Sequence, residues 1–263
     1  MQEAAPTGTP TGSLRRLRRR RLLAGAAVAA CIVANVWTVS LAAPEPGSEG
    51  PLATMSRVST EVGLRSRPAA GKASEPRVVE RGDGKLTPVA IPAGALKSAP
   101  QGRSVRISIE TEGGVPGDAG EFATAVATTL SDARGWQGVD NVRFVAVSPA
   151  AMAKGERVDV RITLASPETT DRLCAPLRTR GQVSCHSGGR AVINLRRWQL
   201  GAEAYGDDLA GYRTYVVNHE VGHSLGHGHA YCAGKGEVAP VMMQQTHGVK
   251  GCSAWPWPSP KPA

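Results

Sequence analysis

The chain has 263 residues, and its formal net charge at pH 7 is +9. A charge of this size is compatible with a nucleic-acid-binding protein, but its distribution along the chain argues against one. Residues 1–43 contain six arginines and one glutamate, residues 44–75 are neutral overall, and residues 76–263 carry +4. More than half of the net positive charge therefore lies before an apolar segment, where it indicates the orientation of a membrane segment. No nucleic-acid partner is predicted.

The apolar segment runs from Leu22 to Ala43, 22 residues without a charge. As a helix it would extend about 33 Å, enough to cross a bilayer core of about 30 Å. The arginines before it predict a cytoplasmic segment at residues 1–21 and a C-terminal part outside the membrane. Residues 22–43 are predicted to be either a retained single-pass signal anchor or a cleaved signal peptide, because Ser40-Leu41-Ala42 resembles a cleavage site. Cleavage of a signal peptide would release the C-terminal part as a secreted protein.

The next segment, residues 44–75, is rich in Pro, Gly, Ser and Ala and has no aromatic residue. Such a composition buries too little apolar surface to offset the loss of chain entropy on folding. It predicts a disordered linker. The remaining residues, 76–263, have a length that suits a single folded domain.

Hydrophobic periodicity in residues 76–263 predicts several strands and two main helices. Alternating or apolar runs predict strands at residues 105–109, 142–147, 158–164 and 191–195. Phe122, Ala125, Val126 and Leu130 recur at helical spacing. A second helix is predicted from a cap at Asp207 or Asp208 to Leu225. This order predicts an α+β fold, in which a mixed β-sheet is covered by two main helices.

The predicted exported part contains four cysteines: Cys174, Cys185, Cys232 and Cys252. Exported proteins meet oxidising conditions, and four cysteines allow three disulfide connectivities. Short loops favour the pairs Cys174 with Cys185 and Cys232 with Cys252. Zinc ligation by cysteine is the alternative, but the chain has no C-x-x-C pair.

The most informative stretch, His219 to His229, reads HEVGHSLGHGH. His219 and His223 are four residues apart, so they share one helix face and can bind one metal ion. Gly226 can adopt the left-handed conformation that ends a helix, which would bring His229 to the same ion. His227 is the alternative third ligand if the helix continues.

Three histidine ligands leave the fourth position of a tetrahedral zinc ion open for water, as in catalytic zinc sites. Glu220 is then predicted to be the general base, which takes a proton from the zinc-bound water and passes it to the leaving amine. These roles predict a zinc-dependent hydrolase that cleaves amide bonds.

The motif from His219 to His229 resembles that of the metzincin metallopeptidases. The resemblance implies a mixed sheet with a long active-site helix, bound Zn²⁺ and a protein or peptide substrate. It also implies a methionine turn beneath the zinc. Met242 is the candidate for this turn and Met243 the alternative. Gln244 stands where astacin-like and serralysin-like members place a tyrosine.

The segment from Cys232 to Cys252 and the terminal Trp-Pro-Trp-Pro sequence resemble a family of uncharacterised exported bacterial proteins of unknown function. This resemblance implies no substrate and no oligomeric state. Two alternatives to a peptidase are a membrane-tethered cell-wall binding module with a structural or vestigial zinc site, and a zinc amidase that acts on peptidoglycan peptides. The presence of Glu220 favours an enzyme, because a structural zinc site needs no base.

Overall fold

The computed structural model describes residues 77–262. The predicted cytoplasmic segment (1–21), membrane segment (22–43) and linker (44–75) lie outside the described residues. No helix within residues 77–262 has both the length and the apolar character that a membrane span requires.

A mixed six-stranded β-sheet lies at the centre of the described part. Its strands are β1 (Leu86–Val89), β2 (Arg103–Glu112), β3 (Val142–Ala146), β4 (Val160–Ala165), β5 (Cys185–Ser187) and β6 (Arg190–Asn194). Strands β3, β2, β4 and β6 are parallel to one another, whereas β1 pairs antiparallel with β2. Strand β5 forms the opposite edge and pairs antiparallel with β6.

The helices include two long ones that pack against the apolar face of the sheet. The helices are α1 (Ala119–Ser131), α2 (Trp136–Val139), α3 (Pro149–Ala153), α4 (Pro167–Cys174), α5 (Leu195–Leu200) and α6 (Leu209–Leu225). Alternate residues of β2, β4 and β6, such as Ile107, Ile162 and Ile193, are fully buried in one core with α1 and α6. The prediction of an α+β fold with a mixed sheet and two main helices is therefore confirmed.

Helix α6 begins and ends near the predicted residues. The side chain of Asp208 caps its N-terminus by accepting a hydrogen bond of 2.8 Å from the backbone N–H of Gly211. At the other end Gly226 has a φ of 103°, the left-handed conformation that glycine adopts without strain. The sequence did not predict the short elements β1, β5 and α4, because few residues define their periodicity.

The second face of the sheet carries buried polar side chains, among them Glu112 at the end of β2. Its carboxylate accepts hydrogen bonds from the backbone N–H groups of Gly84 (2.9 Å) and Ser166 (2.7 Å) and from the hydroxyl of Thr169 (2.8 Å). Ser166 is the N-cap of α4. Glu112 therefore attaches the start of α4 to the sheet.

Two disulfides join Cys174 with Cys185 and Cys232 with Cys252. The first attaches the end of α4 to the edge strand β5. The pairing predicted from loop length is confirmed, and both pairs of thiols are thereby unavailable as zinc ligands.

Candidate metal centre

Helix α6 and the turn after it bring the three predicted ligands together. His219 and His223 lie in the last two turns of α6, with 4.9 Å between their ring centroids. Because the chain leaves the helix at Gly226, the ring of His229 comes back to 4.7 Å from that of His223 and 5.5 Å from that of His219. One nitrogen from each of these rings lies within 4.8 Å of the other two.

His227, the alternative third ligand, lies outside this cluster. Its Nε2 is 2.6 Å from a carboxylate oxygen of Asp140, and its ring stacks on Trp136 with 4.3 Å between centroids. The turn at Gly226 therefore directs His229 and His227 to different partners.

Backbone carbonyls orient two of the clustered rings. The Nδ1–H of His219 donates to the carbonyl of Val241, and the Nδ1–H of His223 donates to the carbonyl of His227, both at 2.8 Å. In a neutral imidazole this leaves the lone pair on Nε2. Burial lowers the pKa of His219 to about 4 and also lowers the pKa of His223, so both rings are neutral near pH 7.

Glu220 lies between the two helical histidines and lines the same cleft. Only 5% of its surface is exposed, and no group within residues 77–262 donates a hydrogen bond to its carboxylate. Burial raises the pKa of Glu220 to about 8. A carboxyl group of this kind can take up a proton and return it near neutral pH.

The segment from Pro240 to Gln244 passes beneath α6, where a methionine turn is predicted. A Cβ atom on Gly222 would lie only 2.5 Å from Sδ of Met242 and 2.6 Å from the ring of Trp136, so this helical glycine permits their close approach. Met243 packs elsewhere, with Ala239 and Cys252. Of the two candidate methionines, Met242 is the one directly under the histidine-bearing helix.

The cleft in front of the histidines has a volume of about 480 Å³. Besides the histidines and Glu220, its lining comes from the loop between Cys174 and Cys185, from Cys185 itself and from Gln244. Two further histidines, His186 on β5 and His247, also line it. The sequence did not predict that His186 and His247 lie at the site, because both are outside the motif and neither follows a recognisable spacing.

Comparisons with curated proteins and with solved structures found no match. Comparison with protein families found a match over residues 74–257 to a family described as a protein of unknown function (DUF3152). The match spans the histidine cluster, Glu220 and both disulfides. This chain therefore belongs to that family of uncharacterised proteins.

Proposed function

We propose that this protein is a zinc-dependent endopeptidase of the metzincin type, which hydrolyses peptide bonds outside the cytoplasmic membrane. The observation that carries the proposal is the convergence of three histidine nitrogens beside the buried carboxylate of Glu220 in an open cleft. A metal-binding group without a base would suit a structural site, whereas this combination suits hydrolysis.

Three imidazole nitrogens are a donor set that suits zinc, and two of them, on His223 and His229, also have the spacing of zinc ligands. Zn–N bonds of about 2.0–2.1 Å in tetrahedral geometry place two ligand nitrogens about 3.3 Å apart. Nε2 of His223 and Nε2 of His229 are 3.2 Å apart. Because Nδ1 of His223 already donates its proton to a carbonyl, its Nε2 is free to bind a cation. His219, His223 and His229 are therefore the proposed ligands.

Zinc bound there would supply a Lewis acid that acidifies water and polarises the substrate carbonyl. Glu220 would accept a proton from the attacking water and deliver it to the amine that leaves. The carbonyls of Val241 and His227 keep the ligand rings oriented during these transfers. Gln244 can donate a hydrogen bond in the cleft, but its amide, unlike a tyrosine hydroxyl, has no acidic proton to transfer.

The edge strand β5 supplies a place for an extended substrate. Cys185 and His186 of this strand line the cleft, and β5 pairs only with β6 among the described strands. An extended peptide can add to such an edge through main-chain hydrogen bonds. This arrangement would place its backbone across the histidine cluster and favours a peptide over a compact small molecule.

The proposal is tested with the purified full-length protein and its Glu220→Gln variant. We expect about one zinc per chain in both proteins, because Glu220 is not a ligand. We expect the wild type to cleave members of a peptide library, and the variant to lose about 10²–10⁴-fold in kcat/KM. Glu237→Gln, on the loop after the motif, is the matched control and should cleave normally.

Three other results would change the proposal. A zinc-loaded wild type that cleaves no peptide would favour the cell-wall binding module. Cleavage confined to peptidoglycan peptides would favour the amidase alternative. A Glu220→Gln variant as active as the wild type would rule out the proposed base.

A further inference from the structure

One wall of the cleft is formed by residues 175–184, the loop between Cys174 and Cys185, which we call the cysteine loop. Among the described residues that line the cleft, Glu220 is the only carboxylate and Arg178 the only lysine or arginine. Since Glu220 is the proposed base, Arg178 is the charged group that remains for contacts with substrate side chains.

The cysteine loop is held in place along its length. The disulfide closes it, and the carboxylate of Asp171 accepts hydrogen bonds from the hydroxyl of Thr179 and from the backbone N–H of Gly181, the latter at 2.9 Å. Near its end, the side-chain amide of Asn194 donates to the carbonyl of Val183 at 3.3 Å. The backbone of a loop held this way loses little conformational entropy when a ligand binds, so the positions from which its exposed side chains extend are fixed in advance.

Five residues of this loop line the cleft, and two of them are exposed: Leu177, which is 55% exposed, and Arg178. Within residues 77–262, Arg178 has no ion pair and donates no hydrogen bond, in contrast to Arg190 and Arg196, which pair with Glu110 and Glu80. An arginine without an internal partner, on a fixed loop beside a reaction site, is suited to bind a group from outside.

We propose that Arg178 gives the protein a preference for peptides with an acidic side chain close to the cleaved bond. This inference rests on the proposed function. The planar guanidinium matches a carboxylate through two parallel hydrogen bonds, and Leu177 offers an apolar contact to a neighbouring substrate side chain. Within residues 77–262, Glu220 is the only acidic residue that lines the cleft, so no other carboxylate there would repel such a substrate.

The experiment uses pairs of fluorogenic peptides that differ only by Glu or Gln at one position on either side of the cleaved bond. Wild-type protein should cleave the better Glu peptide with a kcat/KM about tenfold above that of its Gln twin, and added salt should reduce the difference. Arg178→Gln should abolish the preference, and Arg178→Glu should shift it toward a Lys peptide.

The matched control is Arg180→Gln, which removes an exposed arginine from the same loop that does not line the cleft. It should keep the wild-type preference. Equal cleavage of Glu and Gln peptides by the wild type, or an unchanged preference in both Arg178 variants, would refute this inference and leave the proposed function intact. A wild type that cleaves no peptide would refute both this inference and the proposed function. Its zinc content would then show whether the protein is a zinc-containing binding module or has no metal at this site.

Discussion

His223 and His227 are joined by a hydrogen bond of 2.8 Å from the Nδ1–H of His223 to the backbone carbonyl of His227. His227 thus contributes its main chain to the candidate metal centre, while its side chain is held by Asp140 and Trp136. The side-chain contacts fix the turn after Gly226, and the turn fixes the ring of His223. His227 is therefore a positioning residue in the proposed zinc site.

This relationship predicts a graded effect of histidine substitutions on zinc affinity. His227→Ala should weaken zinc binding about 10-fold, the lower end of the effect of losing an outer-shell contact. His229→Ala should weaken it far more, because it removes a proposed ligand. Chelator competition measures both affinities.

His247→Ala is the control for these variants, since His247 is exposed and lies outside the histidine cluster. Its zinc affinity should equal that of the wild type. If His227→Ala loses zinc while His229→Ala retains it, the assignment of the third ligand is wrong.

The close packing at Gly222 predicts an unusual helix substitution. Replacing glycine by alanine inside a helix normally stabilises it by about 1 kcal/mol. Gly222→Ala should instead lower the free energy of unfolding by about 1–3 kcal/mol, because the new methyl group would overlap Met242 and the rigid ring of Trp136. Urea unfolding of the metal-free protein measures the change.

Gly228→Ala serves as the matched control, because a Cβ at this position meets no atom within 4 Å. Its stability should stay close to that of the wild type. A Gly222→Ala variant that is more stable than the wild type would show that Met242 and Trp136 do not pack against α6 as described.

Glu112 predicts a pH-dependent contribution to stability. Burial acts to raise the pKa of Glu112, but the hydrogen bonds from Ser166, Thr169 and Gly84 outweigh it, and the pKa is lowered overall. A group with a lowered pKa stabilises the folded state above its unfolded pKa of about 4.3 and loses this contribution as pH falls through the folded value. Glu112→Gln should therefore be less stable than the wild type by about 1–3 kcal/mol at pH 7.

The difference in stability between the two proteins should shrink as the pH falls below the unfolded pKa of about 4.3 and through the lower pKa of the folded carboxylate. Urea unfolding at a series of pH values gives this profile. The control is Glu156→Gln, which changes an exposed residue on the segment before β4. This substitution should change the free energy of unfolding little at any pH. If the stability difference between Glu112→Gln and the wild type stays constant across the pH series, the ionised carboxylate is not the source of the stabilisation.

Local patterns in the sequence determined much of the fold and the centre of the site. The cap at Asp208, the helical spacing of His219 and His223 and the left-handed Gly226 all act within one helix and its ends, so residue spacing predicts them. Both disulfides close short loops, which is why sequence separation predicted the pairs. Alternation of apolar and polar residues predicted strands because alternate residues face the core, and the order of strands and helices predicted a mixed sheet.

Tertiary structure alone decided which distant residues support and surround the histidines. Asp140 lies 87 positions before His227, and Trp136 donates its indole N–H to a carbonyl 82 positions later in α6. The cysteine loop brings Arg178 to the cleft through a disulfide and the edge strand, not through any motif. Residue spacing describes the geometry of one element, whereas contacts between elements depend on how the whole chain packs.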